Sequence, residues 1–341
     1  MNNKILISDL HFGEKNNSNH HNEQLLKFFQ FLIDWKTNTN TEFELVIMGD
    51  VFHQRDKLAV DTINYAISGM ELLAASFDKV TMLVGNHDMY YRDHRDVHSL
   101  KMFQHIPNIT IIDRYKIEDE CMYVSWVITA EEYAEIVELS KKHNIKAIYS
   151  HFEFSGFQLN DNYTMTHGQT HRELQHVENV FSGHYHKRQV KDNVVYIGTP
   201  FPYDFNDAND SERGFCVHTP NGYAFIDYEK IKVLSVSHEE FLAGTYKDTV
   251  DTTIRVVIDA TIDQDTMDQI KDKMEAIDFR DSRVQYKIDK NAQMTPDKFV
   301  DVEDGDVDDI DAFVLRMIDE MDEGQYDKDL LKSIYIKAKG K

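Results

Sequence analysis

Up to about residue 230, short apolar runs alternate with stretches whose apolar residues recur every three or four positions. The runs predict strands over 4–8, 44–48, 79–84, 109–112, 121–126, 146–150, 178–182, 194–197, 213–218 and 222–228. Between the first two, Leu25, Leu26, Phe29, Leu32, Ile33 and Trp35 fall at helical spacing. After the second, Ile63, Ala66, Ile67, Met70, Leu73 and Ala74 do the same, and a third helix is expected over 130–143. Strands interleaved with helices in this rhythm define an α/β layered domain. No internal repeat is visible.

The pattern changes after about 235. Residues 252–260 alternate as a strand, Asp263 is placed to cap a helix over 264–277, and 283–288 alternates again, a small β-α-β unit. The stretch 289–309 is polar and acidic, with Pro296 and Gly305. Beyond it Ile310, Phe313, Val314, Met317, Ile318 and Met321 form an amphipathic stripe, and Leu330, Leu331, Ile334 and Tyr335 a shorter one. The expected division is a main domain over 1–232, a small α/β domain over 233–290, an acidic linker over 291–309 and a helical segment over 310–341.

Composition adds limits to that picture. With 41% hydrophobic residues, 5 Pro and 14 Gly in 341 residues, the chain can fill a large core and has no low-complexity segment. Cys121 and Cys216 lie far apart, outside any paired-cysteine motif, and read as buried thiols of a reducing compartment. No signal-peptide layout precedes the first strand, and no apolar run approaches the roughly 20 residues of a membrane helix. A cytoplasmic protein without membrane attachment is expected. The net charge of -23 weighs against a nucleic-acid partner. Yet residues 297–329 alone carry 14 acidic and 3 basic side chains, and bound divalent cations would reverse the field locally.

The chemistry-bearing residues cluster at strand ends. Asp9 and His11 follow the first strand, Asp50 and His53 the second, and Asn86, His87 and Asp88 the third. His151 closes the strand over 146–150, and His184 and His186 follow that over 178–182. Ligands of open α/β sheets gather at the carboxyl ends of strands. Seven or more N/O donors without a thiolate suit two divalent ions such as Mn, Fe or Zn, with a shared carboxylate holding them about 3.5–4 Å apart.

In order and spacing, D-x-H (9–11), G-D (49–50), G-N-H-D (85–88), H (151) and G-H-x-H (183–186) resemble the calcineurin-like metallophosphoesterases. The resemblance implies a four-layer α-β-β-α sandwich. It also implies two metal ions, most naturally Mn²⁺: one held by Asp9, His11, Asp50 and His186, the other by Asp50, Asn86, His151 and His184. His87 would stabilise the transition state and protonate the leaving oxygen, with Asp88 orienting its ring.

Within that superfamily, Gly49-Asp50-Val51-Phe52-His53 is similar to a segment of the SbcD-type double-strand-break repair nucleases. So is Tyr196-Ile197-Gly198-Thr199-Pro200 followed by Phe205 and Arg213-Gly214-Phe215, although Thr199 and Arg213 stand where that family has Ser and Lys. This narrower resemblance implies a DNA nuclease with 3′→5′ exonuclease and single-strand endonuclease activity. His53 would position the DNA end, the helix from Ile63 to Ala74 would form a homodimer, and the C-terminal stripe would dock on an SbcC-type coiled-coil ABC ATPase. The rival expectations are a phosphodiesterase or phosphatase of small nucleotides and a non-catalytic scaffold.

Overall fold

The computed structural model describes residues 2–160, 163–259 and 262–287. Residues up to Tyr286 form one compact unit. The expected acidic linker, the helices over 310–341 and the last residue of the strand expected over 283–288 lie outside the described residues.

In chain order the strands are β1 (Lys4–Ile7), β2 (Glu44–Ile47), β3 (Val80–Leu83), β4 (Ile109–Ile112), β5 (Tyr115–Glu118), β6 (Cys121–Val124), β7 (Ala147–Ser150), β8 (Gln158–Asn160), β9 (Tyr163–Thr164), β10 (Asn179–Ser182), β11 (Gln189–Lys191), β12 (Val194–Tyr196), β13 (Gly214–Thr219), β14 (Gly222–Asp227), β15 (Lys232–Ser237), β16 (Thr252–Ile258) and β17 (Asp281–Tyr286). The helices are the single turn α1 (Glu14–Asn17), α2 (Asn19–Thr39), α3 (Val60–Ser76), α4 (Ala130–Lys142), α5 (His238–Ala243) and α6 (Gln264–Glu275).

Two six-stranded sheets dominate, in the orders β14-β13-β1-β2-β3-β4 and β11-β12-β10-β7-β6-β5. In the first, β1 to β4 run parallel, β13 pairs antiparallel with β1, and β14 pairs antiparallel with β13. In the second, β6, β7, β10 and β12 are parallel between antiparallel edges. Central strands are buried on both faces, so they read as continuous apolar runs in the sequence.

Alternation along each strand decides what it packs against. Ile5 and Ile7 join Leu45 and Ile47 in a core shared with Phe28 and Leu32 of α2 and Met70 and Leu73 of α3. Leu6, Val46 and Leu83 point the other way and share a core with Tyr123, Tyr149, Phe181 and Val195 of the second sheet. Met122, Ile148 and Val180 of that sheet pack with Tyr133, Ile136 and Val137 of α4.

The β-α-β reading after 235 misses two elements, β15 and α5. Three parallel strands, β15-β16-β17, surround a small core of Phe241, Ile254, Val256, Ile258 and Ile270. Asp263 does cap α6, accepting from Thr266 N at 2.7 Å. α5 begins with a capping box between Ser237 and Glu240, a Ser-x-x-Glu signal present in the sequence. Unpredicted β5 and β11 are edge strands with largely polar, part-exposed residues, so they lack an apolar run.

On α3, Ala66, Met70, Leu73 and Ala74 are buried within the chain, while Ile63 and Ile67 remain part-exposed. No described helix is long and apolar enough to cross a membrane.

Candidate metal centre

The parallel strands of each sheet deliver their carboxyl ends to one region, and there the backbone leaves regular geometry. Asp9, His11, Asp50 and His184 all adopt left-handed φ, of 53°, 48°, 53° and 88°. Non-glycine residues rarely do so, and such strain concentrates at functional sites. Close approach is enforced at Gly85, where a Cβ would collide with the Asp50 carboxylate and backbone N.

The structure brings together all seven residues expected to bind metal. The His11 and His186 Nε2 atoms lie 3.1 Å apart, and His11 Nε2 is 4.0 Å from Asp9 Oδ1 and 3.8 Å from Asp50 Oδ2. His151 Nε2 is 3.3 Å from Asp50 Oδ2 and 3.1 Å from Asn86 Oδ1, which also meets His184 Nδ1 at 3.2 Å. Donor atoms of Asp9, His11 and His186, and those of Asp50, His151 and His184, fall within 4.8 Å of one another in each trio.

Among these seven residues His11 Nδ1 is buried with no hydrogen-bond partner. This donor set, imidazole with carboxylate and carboxamide, fits divalent cations.

Contacts behind the donors fix their orientation. His151 Nδ1 donates to Met48 O at 2.6 Å, leaving Nε2 to face the cluster. His184 turns Nε2 to Glu153, 3.5 Å away, and both Asp9 oxygens accept from His184 N at 3.1 and 3.0 Å. Tyr203 donates to Asp9 O at 2.5 Å and to Leu10 O at 3.1 Å. The Trp126 ring lies 5.0 Å from that of His184. Sequence reasoning missed Glu153, Tyr203 and Trp126. Glu153 stands two residues beyond His151, but the other two carry no local signal.

Electrostatics separate the two trios. Burial pushes the His11 pKa well below its ordinary value, and His186 and His87 push it further. Burial opposes ionisation of Asp50, but His151, His87 and His11 around it hold its carboxyl well below the usual range. For His151, burial is outweighed by the Asp50 carboxylate, and the imidazole rises to about 9.

His87 sits beside this cluster, its ring centroid 4.9 Å from that of His11 and its backbone N donating to Asp50 Oδ1 at 2.9 Å. Burial lowers its pKa. The expected role of Asp88 is corrected: the His87 ring is oriented by His53, whose carbonyl accepts from Nδ1 at 2.7 Å. Asp88 instead accepts from the backbone N–H groups of Asp50, Val51, Phe52 and Gly85 at 2.9–3.2 Å, tying the second and third strand ends together. Burial and the Asp50 charge push its carboxyl up, while the N–H groups of Gly85 and Phe52 pull it down.

His53 joins His11 and His87 in a third trio, and its Nδ1 lies 2.5 Å from Glu14 Oε2. The motif around Thr199 and Arg213 proves to be one buried ionic knot. Arg213 reaches the Thr199 hydroxyl, Asp207 at 2.8 Å and Asp210 at 2.9 Å, closing the loop that carries Tyr203.

The names of proteins similar in sequence point to a nuclease or phosphoesterase, that is, a hydrolase. No known protein-family profile matches the chain. It is 25% identical over 271 residues to the protein named "Exonuclease subunit 1" of Enterobacteria phage T4, covering 75% of this chain and 76% of that protein. It is 22% identical over 279 residues to "Putative phosphoesterase 078R" of Invertebrate iridescent virus 3, covering 76% and 77%. These homologues bear out the resemblance to the metallophosphoesterase nucleases.

Proposed function

We propose that the chain is the nuclease subunit of an SbcC–SbcD-type DNA repair or recombination complex, hydrolysing phosphodiesters of DNA with two divalent metal ions. The observation carrying this reading is the convergence, from five strand ends, of the donor trios Asp9, His11, His186 and Asp50, His151, His184, with Asn86 bonded to His151 and His184. Asp9, His11, Asp50 and His186 would hold one ion and Asp50, Asn86, His151 and His184 the other, with Asp50 shared. Such ions, when bound, neutralise phosphate charge and activate water as nucleophile.

The protein's own residues supply the rest. His87, its Nδ1 proton committed to the His53 carbonyl and its ring against that of His11, would act in its doubly protonated form, giving the Nε2 proton to the leaving oxygen. His53, pinned by Glu14, lies beside His11 and His87. The layering is read as a four-layer α-β-β-α sandwich, supported by three separate cores: helix on sheet, sheet on sheet, and sheet on helix. The small sheet β15–β17 would be the capping domain.

The word "subunit" in the name of the phage relative accords with a multi-component nuclease. The C-terminal stripe from Ile310 to Met321 would dock on the coiled coil of an ABC ATPase, and part-exposed Ile63 and Ile67 would contribute to a homodimer contact. The deciding experiment is incubation with end-labelled duplex DNA and Mn²⁺, with and without such an ATPase. Mn²⁺-dependent cleavage that Asp50→Asn abolishes supports the reading. A chain that leaves DNA intact under every condition yet cleaves mononucleotides is a small-nucleotide phosphatase instead.

A further inference from the structure

We infer that Tyr90 and Tyr91 form a stacking platform for unpaired nucleobases at the edge of the metal centre; this rests on the phosphodiesterase reading and specifies how its substrate is gripped. The two rings remain 49% and 43% exposed, the adjacent aromatic pair among the large exposed apolar side chains of the described residues. An acidic protein gains nothing by displaying such rings to water, where they cost apolar exposure.

Their mounting is rigid and close to the chemistry. The loop springs from the residue after Asp88 and is tied at its base by Ser99 N donating to Asp88 O at 2.9 Å and Tyr90 N to Val97 O at 3.0 Å. Tyr90 lies three residues beyond His87, at most about 10 Å along the chain. Arg95 on the same loop donates through Nε to the Trp126 carbonyl at 3.0 Å and pairs with Glu132 at 2.6 Å. Trp126 in turn packs on His184, so the loop is braced against the wall of the donor cluster. The rings are mutually ordered as well: Tyr90 meets Tyr91 edge-on at 4.7 Å, and Tyr91 stacks on His94 at 4.3 Å with 17° between planes.

Charge does not select the ligand here. The loop sequence Tyr90-Tyr91-Arg92-Asp93-His94-Arg95-Asp96 balances its arginines with aspartates, and the chain carries a net charge of -23. Affinity for a polyanion must then come partly from a source indifferent to charge. Base stacking on aromatic rings is such a source, and its loss costs about fivefold to a hundredfold in affinity per base. A duplex end would need to fray to reach the platform, whereas a single strand offers its bases directly.

The test uses the full chain and a fluorescein-labelled single-stranded oligothymidylate, with EDTA to prevent cleavage and binding followed by anisotropy over a salt series. Tyr90→Ala/Tyr91→Ala should weaken binding at least tenfold without changing the slope against salt, because no phosphate contact is lost. Tyr90→Phe/Tyr91→Phe should stay within threefold of wild type. Equal affinity of the alanine variant and wild type overturns the platform, as does failure of the phenylalanine pair to hold affinity. A steeper or shallower salt slope in the alanine variant shows an ionic contact and also overturns it. So does a change in sedimentation coefficient, which marks the rings as a contact between copies. Wild-type hydrolysis of bis(p-nitrophenyl) phosphate with Mn²⁺ is measured separately. If that is absent while the tyrosine effect persists, the hydrolase reading fails and the platform stands.

Discussion

The two large sheets bring different chemistry to the shared centre. The first supplies both carboxylates and the carboxamide, Asp9, Asp50 and Asn86, together with His11. The second supplies only imidazoles, His151, His184 and His186. Fixed negative charge therefore sits on one side and ring nitrogens alone on the other. The side holding charge is the one most heavily braced by backbone N–H groups, with Asp88 alone accepting four. The imidazole side is braced by single acceptors, Met48 O behind His151 and Glu153 behind His184. Charge confined in a buried site needs many oriented dipoles, whereas an imidazole donor needs chiefly its ring orientation fixed.

That contrast predicts unequal costs of substitution. The largest after loss of Asp50 itself belongs to His87, on the charged side. His87→Ala should keep metal affinity and lose about 100- to 10,000-fold in turnover, the usual range for a general acid. Titration of Mn²⁺ alongside single-turnover rates separates the two quantities, and a loss below threefold would falsify the role. Arg213 comes next. Arg213→Met leaves Asp207 and Asp210 without their buried cation and should cost about 3–5 kcal/mol of stability. Denaturant midpoints read this directly, and an unchanged midpoint would show that the knot is merely decorative.

Much of the charged side was legible in sequence, because its chemistry demands particular residues at particular strand ends: Asp9, Asp50 and Asn86 stand beside glycines or within short fixed motifs. The imidazoles were legible for the same reason. The supporting contacts were not. Tyr203 reaches Asp9 from a residue 194 positions away in the chain, and Trp126 acts through a ring face, so neither has a spacing to reveal it. The error over Asp88 has a physical origin too. Adjacency to His87 suggested a side-chain pair, but in the tight turn after β3 a carboxylate faces the free N–H groups of neighbouring strand ends instead. In the small domain, alternation located β16 and α6 but passed over β15, where Ser235 and Ser237 interrupt the apolar positions.

On the imidazole side the effects should be smaller. Glu153→Ala removes the carboxylate behind His184 and should weaken metal binding by about 10- to 100-fold, as loss of such outer partners generally does. Turnover at saturating Mn²⁺ should recover to near wild type. If saturation fails to restore it, Glu153 takes part in the chemistry and the division between the two sides is drawn in the wrong place.

The smallest effect concerns the seam between the sheets, on which both sides depend. His218 of β13 in the first sheet faces Tyr149 of β7 in the second, Nδ1 to hydroxyl at 2.8 Å, within the apolar core between them. Burial, and then the charge of Lys4, depress the His218 pKa from 6.5 to about 4. Between those values the unfolded chain binds a proton that the folded chain refuses. Stability linked to His218 is therefore fully present above pH ~6.5 and drains away as pH falls toward about 4. Buried His21, also depressed to about 4, titrates over the same window. His218→Phe should thus flatten the pH dependence of the denaturation midpoint by no more than one proton's worth of slope, leaving the contribution of His21 in place. Should the slope between pH 7 and 4.5 stay as steep as in wild type, the seam histidine does not sense acid, and any acid lability originates elsewhere in the fold.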